Sequence, residues 1–259
     1  MYKKLAPLSR DRHARLKLKS PATGPFTHAE ATATVAVCSA ELSLAVHEFP
    51  MTFVSGPDGR FRLLGVLGVK PGENLFVAHD GRWLGRYVPA QFRGYPFAMG
   101  RTEDGRAALL VDEGSPWLSE DEGSPLFGED GEPSEAISRM GGFLAQVAQQ
   151  LAAVDAACDA LHRHGLIVPW PVKIKGENGS PTEITGFHRV DEERLRQIPE
   201  SAIAELQRTG ALQIAYAQIF SMPLIARLPE VAALRQRTGP AAPALPDTPD
   251  ALRDLEFKF

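Results

Sequence analysis

The chain is poor in cysteine and has no long apolar run. Its two cysteines, Cys38 and Cys158, stand 120 residues apart among apolar neighbours, with neither a CxxC nor a Cys-His ligand spacing. They are expected as buried free thiols in a reducing compartment rather than as a disulfide. In the basic start of the chain Leu5, Leu8, Leu16 and Leu18 are separated by Arg and Lys, which interrupts the apolar stretch a signal peptide needs. No segment approaches the ~20 apolar residues that span a bilayer. The expectation is a cytoplasmic protein without a membrane span.

The motifs of common chemistries are missing as well. There is no Gly-x-Ser-x-Gly, no phosphate-cradling Gly-Lys-Ser/Thr loop and no Gly-x-Gly-x-x-Gly after a strand, so hydrolase, nucleotidase and dinucleotide-enzyme readings lose their footholds. His47-Glu48 is half of a zinc-protease helix signature, but Met51 stands where the second histidine would be. Read from Asp121, the calcium-loop pattern fails at Gly123 and Pro125. Asp155, Asp159 and His162 share one flank of a helix, where ligands from other helices would be needed to complete a site. No metal and no cofactor is expected.

What is present is a globular composition: 259 residues, 44% apolar and 23% charged, enough for one large core or two small ones. The net charge of −4 is unevenly placed. Residues 1–19 hold seven Lys or Arg against one Asp, about +6, and leave about −10 for the rest. A basic arm attracts phosphates. With a pI near 6.0 and no recognition fold, specific nucleic-acid binding is not expected, and residues 1–30 read as a solvated basic arm able to fold back on an acidic loop.

Periodicity predicts an α+β fold: a mostly antiparallel sheet of hairpins covered by a long amphipathic helix, with short C-terminal helices. Thr32, Thr34, Val35 and Val37 are strand formers, and Met51–Val54 and Phe61–Val69 flank the turn Gly56-Pro57-Asp58-Gly59. Asn74–Val77 and Trp83–Val88 bracket the tight turn His79-Asp80-Gly81. Residues 112–135 carry nine Asp or Glu and no Lys or Arg; in them Asp112-Glu-Gly-Ser-Pro-Trp-Leu118 recurs as Asp121-Glu-Gly-Ser-Pro-Leu-Phe127. That predicts two similar surface turns, each with an apolar pair turned inward and carboxylates in water. From Ser134 to His164, Leu144, Val147, Ala148, Leu151, Val154, Cys158 and Leu161 give a helical stripe that Gly165 ends. A hairpin across 176–179 and helices at 191, 200–209 and 212–220 follow, and the globular part, 31–238, gives way to a proline-rich spacer. Pro240, Pro243, Pro246 and Pro249 recur every third residue, the period of polyproline II.

The densest motif is Gly72 to Phe97. Glu73-Asn74-Leu75-Phe76, Gly81-Arg82-Trp83, Tyr87-Val88-Pro89 and Tyr95-Pro96-Phe97, together with Glu48-Phe49-Pro50 upstream and Leu126-Phe127 and Asp130-Gly131-Glu132-Pro133 downstream, carry a resemblance. The chain resembles the bacterial SapC-like family, a group named for association with a surface array, from Tyr2 to about Leu228. The resemblance implies an accessory role in an envelope- or uptake-associated system, near outer-membrane receptors, flavin-dependent halogenase-like enzymes and cupin-like proteins.

Two function classes stay open. In the first the protein is a non-catalytic binding or accessory protein working with a protein partner or with itself. Trp83, Tyr87, Arg93, Tyr95 and Phe97 are then the recognition group, since aromatic faces and an Arg fork suit sugars, peptides, aromatic groups and protein interfaces; as strand aromatics they equally suit a core. In residues 251–259, Leu255, Phe257 and Phe259 alternate with Glu256 and Lys258, the pattern of a docking strand. In the second class the protein is an enzyme acting on a peptide, sugar or aromatic small molecule through His79, Asp80 and Arg93.

Overall fold

The computed structural model describes residues 1–21, 24–102, 104–175 and 181–238. The hairpin turn expected at 176–179, the expected proline-rich spacer, and Leu255, Phe257 and Phe259 lie outside that range. From the N-terminus run β1 (Leu5–Pro7), α1 (Arg10–His13), β2 (Lys17–Leu18), β3 (Thr34–Ala36) and α2 (Leu42–Ala45), then β4 (Met51–Ser55) and β5 (Phe61–Val66). A long irregular stretch leads to α3 (Ala90–Arg93), to β6 (Phe97–Arg101) and β7 (Ala107–Asp112), and to the two-residue strands β8 (Leu118–Ser119) and β9 (Ser124–Pro125). After α4 (Glu135–Arg163) come β10 (Ile167–Pro169), β11 (Val172–Lys175), β12 (Pro181–Ile184) and β13 (His188–Val190). Helices α5 (Glu192–Arg196), α6 (Glu200–Arg208), α7 (Ala211–Ser221) and α8 (Leu228–Arg237) follow. The class is α+β, with strands paired antiparallel in several sheets rather than one.

The principal sheet has the order β10-β13-β4-β5-β3. Its centre is the β4–β5 hairpin, closed where Gly59 takes a φ of +73°, a value that only glycine adopts without strain. Phe61 and Leu63 point inward while Arg62 stands at the surface, so period-2 alternation buries one face of β5 against α4. The ladder between β13 and β4 is thin, a single pair at His188 and Phe53. Helix α7 supplies what it lacks: buried Gln218 accepts from the Val190 amide at 2.9 Å and donates to the Met51 carbonyl at 3.1 Å, and Ser221 Oγ accepts from the Met51 amide at 2.9 Å. A helix side chain thus pairs backbone groups that would otherwise be buried alone.

Helix α4, 29 residues and about 43 Å at 1.5 Å per residue, joins two cores. Its C-terminal half gives Val154, Ala157, Cys158 and Leu161 to the large core beneath the principal sheet. Its N-terminal half gives Ile137 and Leu144 to a smaller core with Phe97, Val111 and Leu126. Ala148 falls outside the buried stripe, and Ser134 stands at the N-cap without a side-chain bond to the helix. Gly165, at φ +64°, ends it.

Residues 1–21 fold back on the acidic repeat, as expected, but as paired strands with a buried His13 rather than as a solvated arm. Strand β1 pairs with β7, and β2 lies between β8 and β9, so the basic segment supplies the middle of a small sheet whose outer strands come from the acidic repeat. The repeat itself is asymmetric. Leu126 is buried and Trp117, Leu118 and Phe127 half-buried, as an inward apolar pair requires, but the two leading aspartates differ: Asp121 faces water and Asp112 is buried, accepting from the amides of Lys3, Lys4 and Gly114 at 3.1, 2.7 and 3.2 Å. A second correction concerns the turn at His79–Gly81. It forms, but a lone bridge between Val77 and Trp83 replaces the expected strands, because Asn74 Oδ1 takes the Phe76 amide that a ladder would use.

Among the described residues, one helical run, Ala211–Arg237, is long and apolar enough by length and composition to cross a bilayer. It is interrupted by the 3-10 segment Met222–Arg227 with Pro223, and Ala211, Ile214, Ala215 and Leu228 belong to the large core.

Candidate functional site

The signature stretch turns its aromatics inward. Trp83, half-buried, donates from Nε1 to the Tyr87 carbonyl at 2.8 Å and packs among Phe26, Phe76 and Phe92 with ring centroids 5.5–5.9 Å away. Tyr95 and Phe97 are 4% and 0% exposed, so no ligand reaches them in this conformation. Close approach requires the glycine at position 81: it has a φ of +80°, and a Cβ there would sit 2.4 Å from Gly24 Cα.

Tyr87 and Arg93 belong to a polar cluster centred on Glu41, a buried carboxylate the sequence did not single out. Its oxygens accept from the Cys38 amide at 3.0 Å, the Tyr87 hydroxyl at 2.7 Å and the Ala90 amide at 2.6 Å. Arg93 donates to the same hydroxyl at 3.0 Å and lies over the rings of Tyr87 and Phe143. Burial, then the charge of Glu41, drives the Tyr87 hydroxyl far above its ordinary range and the Cys38 thiol up to about 12. A thiol that stays protonated at neutral pH is no nucleophile, and Glu41 ties its own turn to the Tyr87–Ala90 segment as a clamp.

His28 stacks on Tyr95, centroids 4.0 Å apart and planes 4° from parallel, with Trp117 edge-on at 5.4 Å. Neither ring nitrogen makes a hydrogen bond of good geometry, although the Phe92 and Pro25 carbonyls lie close enough to favour the charged form. Burial outweighs them and lowers the imidazole to about 4, leaving it neutral across the physiological range. No sequence signal marked it, since it lies within the segment read as an arm.

The remaining candidates are surface or paired groups. His79 and Asp80 are exposed; Asp80 accepts from the Arg82 amide at 3.0 Å and from Arg82 Nε at 2.6 Å, which holds its carboxyl below the usual range. Asp80 and Arg93 are engaged with different partners and do not assemble with His79 into an acid–base group. On the α4 flank Asp159 pairs with Arg60 and His162 packs on Phe61, while burial raises Asp155. Glu113 gathers Lys4, Arg12 and buried His13, so the basic segment neutralises the acidic repeat locally; the Lys4 bond contributes most to holding Glu113 low. Among the described residues no three His, Cys, Asp or Glu side chains come together as a metal set.

One group faces outward. On α7 the rings of Tyr216 and Phe220, 48% and 66% exposed, stack at 6.0 Å beside a groove of about 240 Å³ whose other walls are Glu192, Leu195, Arg196 and Ile219. Buried Ala211, Ile214, Ala215 and Gln218 mark the inner face of α7, and Leu212, Tyr216 and Phe220 follow at four-residue spacing on another. The available signal was an apolar helix richer in large residues than one buried face needs.

The family model described as SapC matches residues 8–228. The chain belongs to the SapC family. No curated protein and no solved structure matches it. The SapC match takes in the Glu41 clamp, the His28 stack and the α7 groove, and it stops at the first residue of α8.

Proposed function

We propose that this SapC-family protein is a non-catalytic binding protein whose partner is a polypeptide held on the Tyr216–Phe220 face, as an intracellular accessory of an envelope- or uptake-associated system. The supporting observation is the stacked, exposed aromatic pair beside an apolar groove with a charged rim, the residue types that dominate interface energetics. At about 240 Å³ the groove is smaller than the ~300–1,000 Å³ of pockets that enclose drug-sized molecules, which favours side-chain anchors of a peptide segment over a metabolite. The cellular setting rests on the family resemblance alone.

The test is a photoreactive benzoylphenylalanine at position 216 of the full chain, irradiated in the producing cells. The expected result is one recurrent covalent adduct with another polypeptide, lost on Phe220→Glu. Background adducts only, or an adduct indifferent to Phe220→Glu, would remove this face as the binding surface.

A further inference from the structure

We infer that strand β6 is an interface: its open edge pairs antiparallel with β6 of a second copy of this chain, about a two-fold axis at Gly100. The surface is separate from the α7 face, so the inference goes beyond the binding reading and does not depend on it. It begins with register. Strands β6 and β7 align Phe97 with Val111 through to Arg101 with Ala107. The bonds that continue this alignment, Asp112 N–H to the Pro96 carbonyl and Thr102 N–H to the Arg106 carbonyl, fall on even-numbered residues at either end of β6. Bonded and non-bonded pairs alternate in an antiparallel ladder, so Ala98 and Gly100 turn their backbone groups to β7, and Phe97, Met99 and Arg101 turn theirs to the outer edge. Phe97 is satisfied there, its amide donating to the Gly94 carbonyl at 2.8 Å and its carbonyl accepting from the Tyr2 hydroxyl at 2.9 Å. The backbone groups of Met99 and Arg101 have no such partner among the described residues, and no described strand lies beyond β6 in the order β1-β7-β6.

Other outer strands are blunted. The same alternation turns Leu5 and Pro7 of β1 outward, and Ile167 and Pro169 of β10, and each proline lacks the N–H that an added strand would need. At β3 the outward Ala36 amide donates to Gln91 Oε1 at 3.4 Å. Strand β6 has neither a proline nor a side-chain cap at Met99 or Arg101; Met99 and Gly100 are half-buried and Arg101 is exposed.

Self-complementarity selects a second copy as the occupant. A two-fold axis at Gly100 sets Met99 of each copy against Arg101 of the other, and every free N–H and C=O of both edges then finds a partner. The next outward residue, Phe97, is already satisfied, so the ladder ends with these two pairs. At the centre the two Gly100 residues form a non-bonded pair, where Cα atoms approach to about 4.5 Å and no side chains collide. Charge agrees with this register. Arg101 stands opposite Met99 rather than another cation, its guanidinium donates to the Gly105 carbonyl of its own turn at 2.8 Å, and Arg106 pairs with Asp104. The product is a continuous sheet, β1-β7-β6-β6-β7-β1. Two ladder pairs make a small contact, so the dimer is weak and forms as concentration rises.

The test reads the register directly. Met99→Cys and Arg101→Cys are made in separate full-length chains, mixed, and oxidised with glutathione; the native Cys38 and Cys158 are buried. Across the axis Met99 and Arg101 stand about 5.5 Å apart between Cα atoms, within disulfide range, whereas like positions are offset by about 6.8 Å along the strand as well as by the strand spacing and exceed the ~7 Å limit. The expected result is a mixed disulfide between positions 99 and 101 in about tenfold or greater excess over either same-variant dimer. Products in the proportions of random collision, or no disulfide dimer, would overturn the inference. Sedimentation equilibrium of the wild-type chain should also show monomer passing to dimer between about 1 μM and 1 mM. Arg101→Pro, which removes an outward N–H and leaves the β7 ladder intact, should weaken that association about tenfold or more. A monomer throughout, or a dimer indifferent to Arg101→Pro, would equally overturn it, and the cysteine pair decides the matter if the proline variant fails to fold.

Discussion

Two aromatic groups, one around Trp83 and one on α7, behave in opposite ways. The first is dense in sequence, set among prolines and turn glycines, and closes on itself: Trp83 bonds the Tyr87 carbonyl, Tyr87 bonds Glu41, and Tyr95 stacks on His28. The second is two residues in an ordinary apolar helix, and it alone presents adjacent aromatic rings to solvent among the described residues. Irregular backbone needs side chains to pair and cover its polar groups, so an aromatic-rich loop is consumed by its own folding. A helix pairs its backbone internally and leaves its second face free.

Substitutions should separate the groups by stability. Phe97→Ala is expected to cost about 3–5 kcal/mol in denaturant unfolding and Trp83→Ala about 3 kcal/mol, as truncations of core and half-buried aromatics. A Trp83→Ala protein of wild-type stability that lost partner binding would move the recognition surface back to the signature loop. Gln218→Ala should cost about 2–3 kcal/mol, because Val190 N and the Met51 carbonyl lose their partner inside the core. A negligible loss would show that β13 and β4 are held without α7.

The buried group also predicts a pH dependence that the exposed pair lacks. His28 titrates near 4 in the folded protein and near ~6.5 unfolded, so the unfolded state takes up the proton first. Its contribution is complete above pH ~6.5 and is lost as pH falls toward about 4, by up to ~3 kcal/mol at ~1.4 kcal/mol per pKa unit. Measured as the stability difference between wild type and His28→Gln, which cancels the carboxylates, the gap should narrow over that window. A gap independent of pH would mean that the ring nitrogens of half-buried His28 are not held neutral away from water.

The elements legible beforehand were those whose period is local. The α4 stripe and the Gly56–Gly59 hairpin follow from spacing within one segment, and both form. What escaped depends on partners far along the chain. Lys17–Leu18 read as charged arm because the strands that flank it lie about a hundred residues away. Glu41 carried no motif in the sequence because its donors Tyr87 and Ala90 come from another segment. The outer stripe of α7 was hidden for a different reason: an apolar residue looks the same in sequence whether a neighbour covers it or not.

The smallest expected change in stability carries the most weight. Phe220→Glu should leave the melting temperature within about 2 °C of wild type, since an exposed substitution usually alters stability by no more than ~0.5 kcal/mol. The same variant should abolish the adduct formed from position 216. A protein that melts as wild type and still forms that adduct would contradict the assignment of the α7 face as the binding surface.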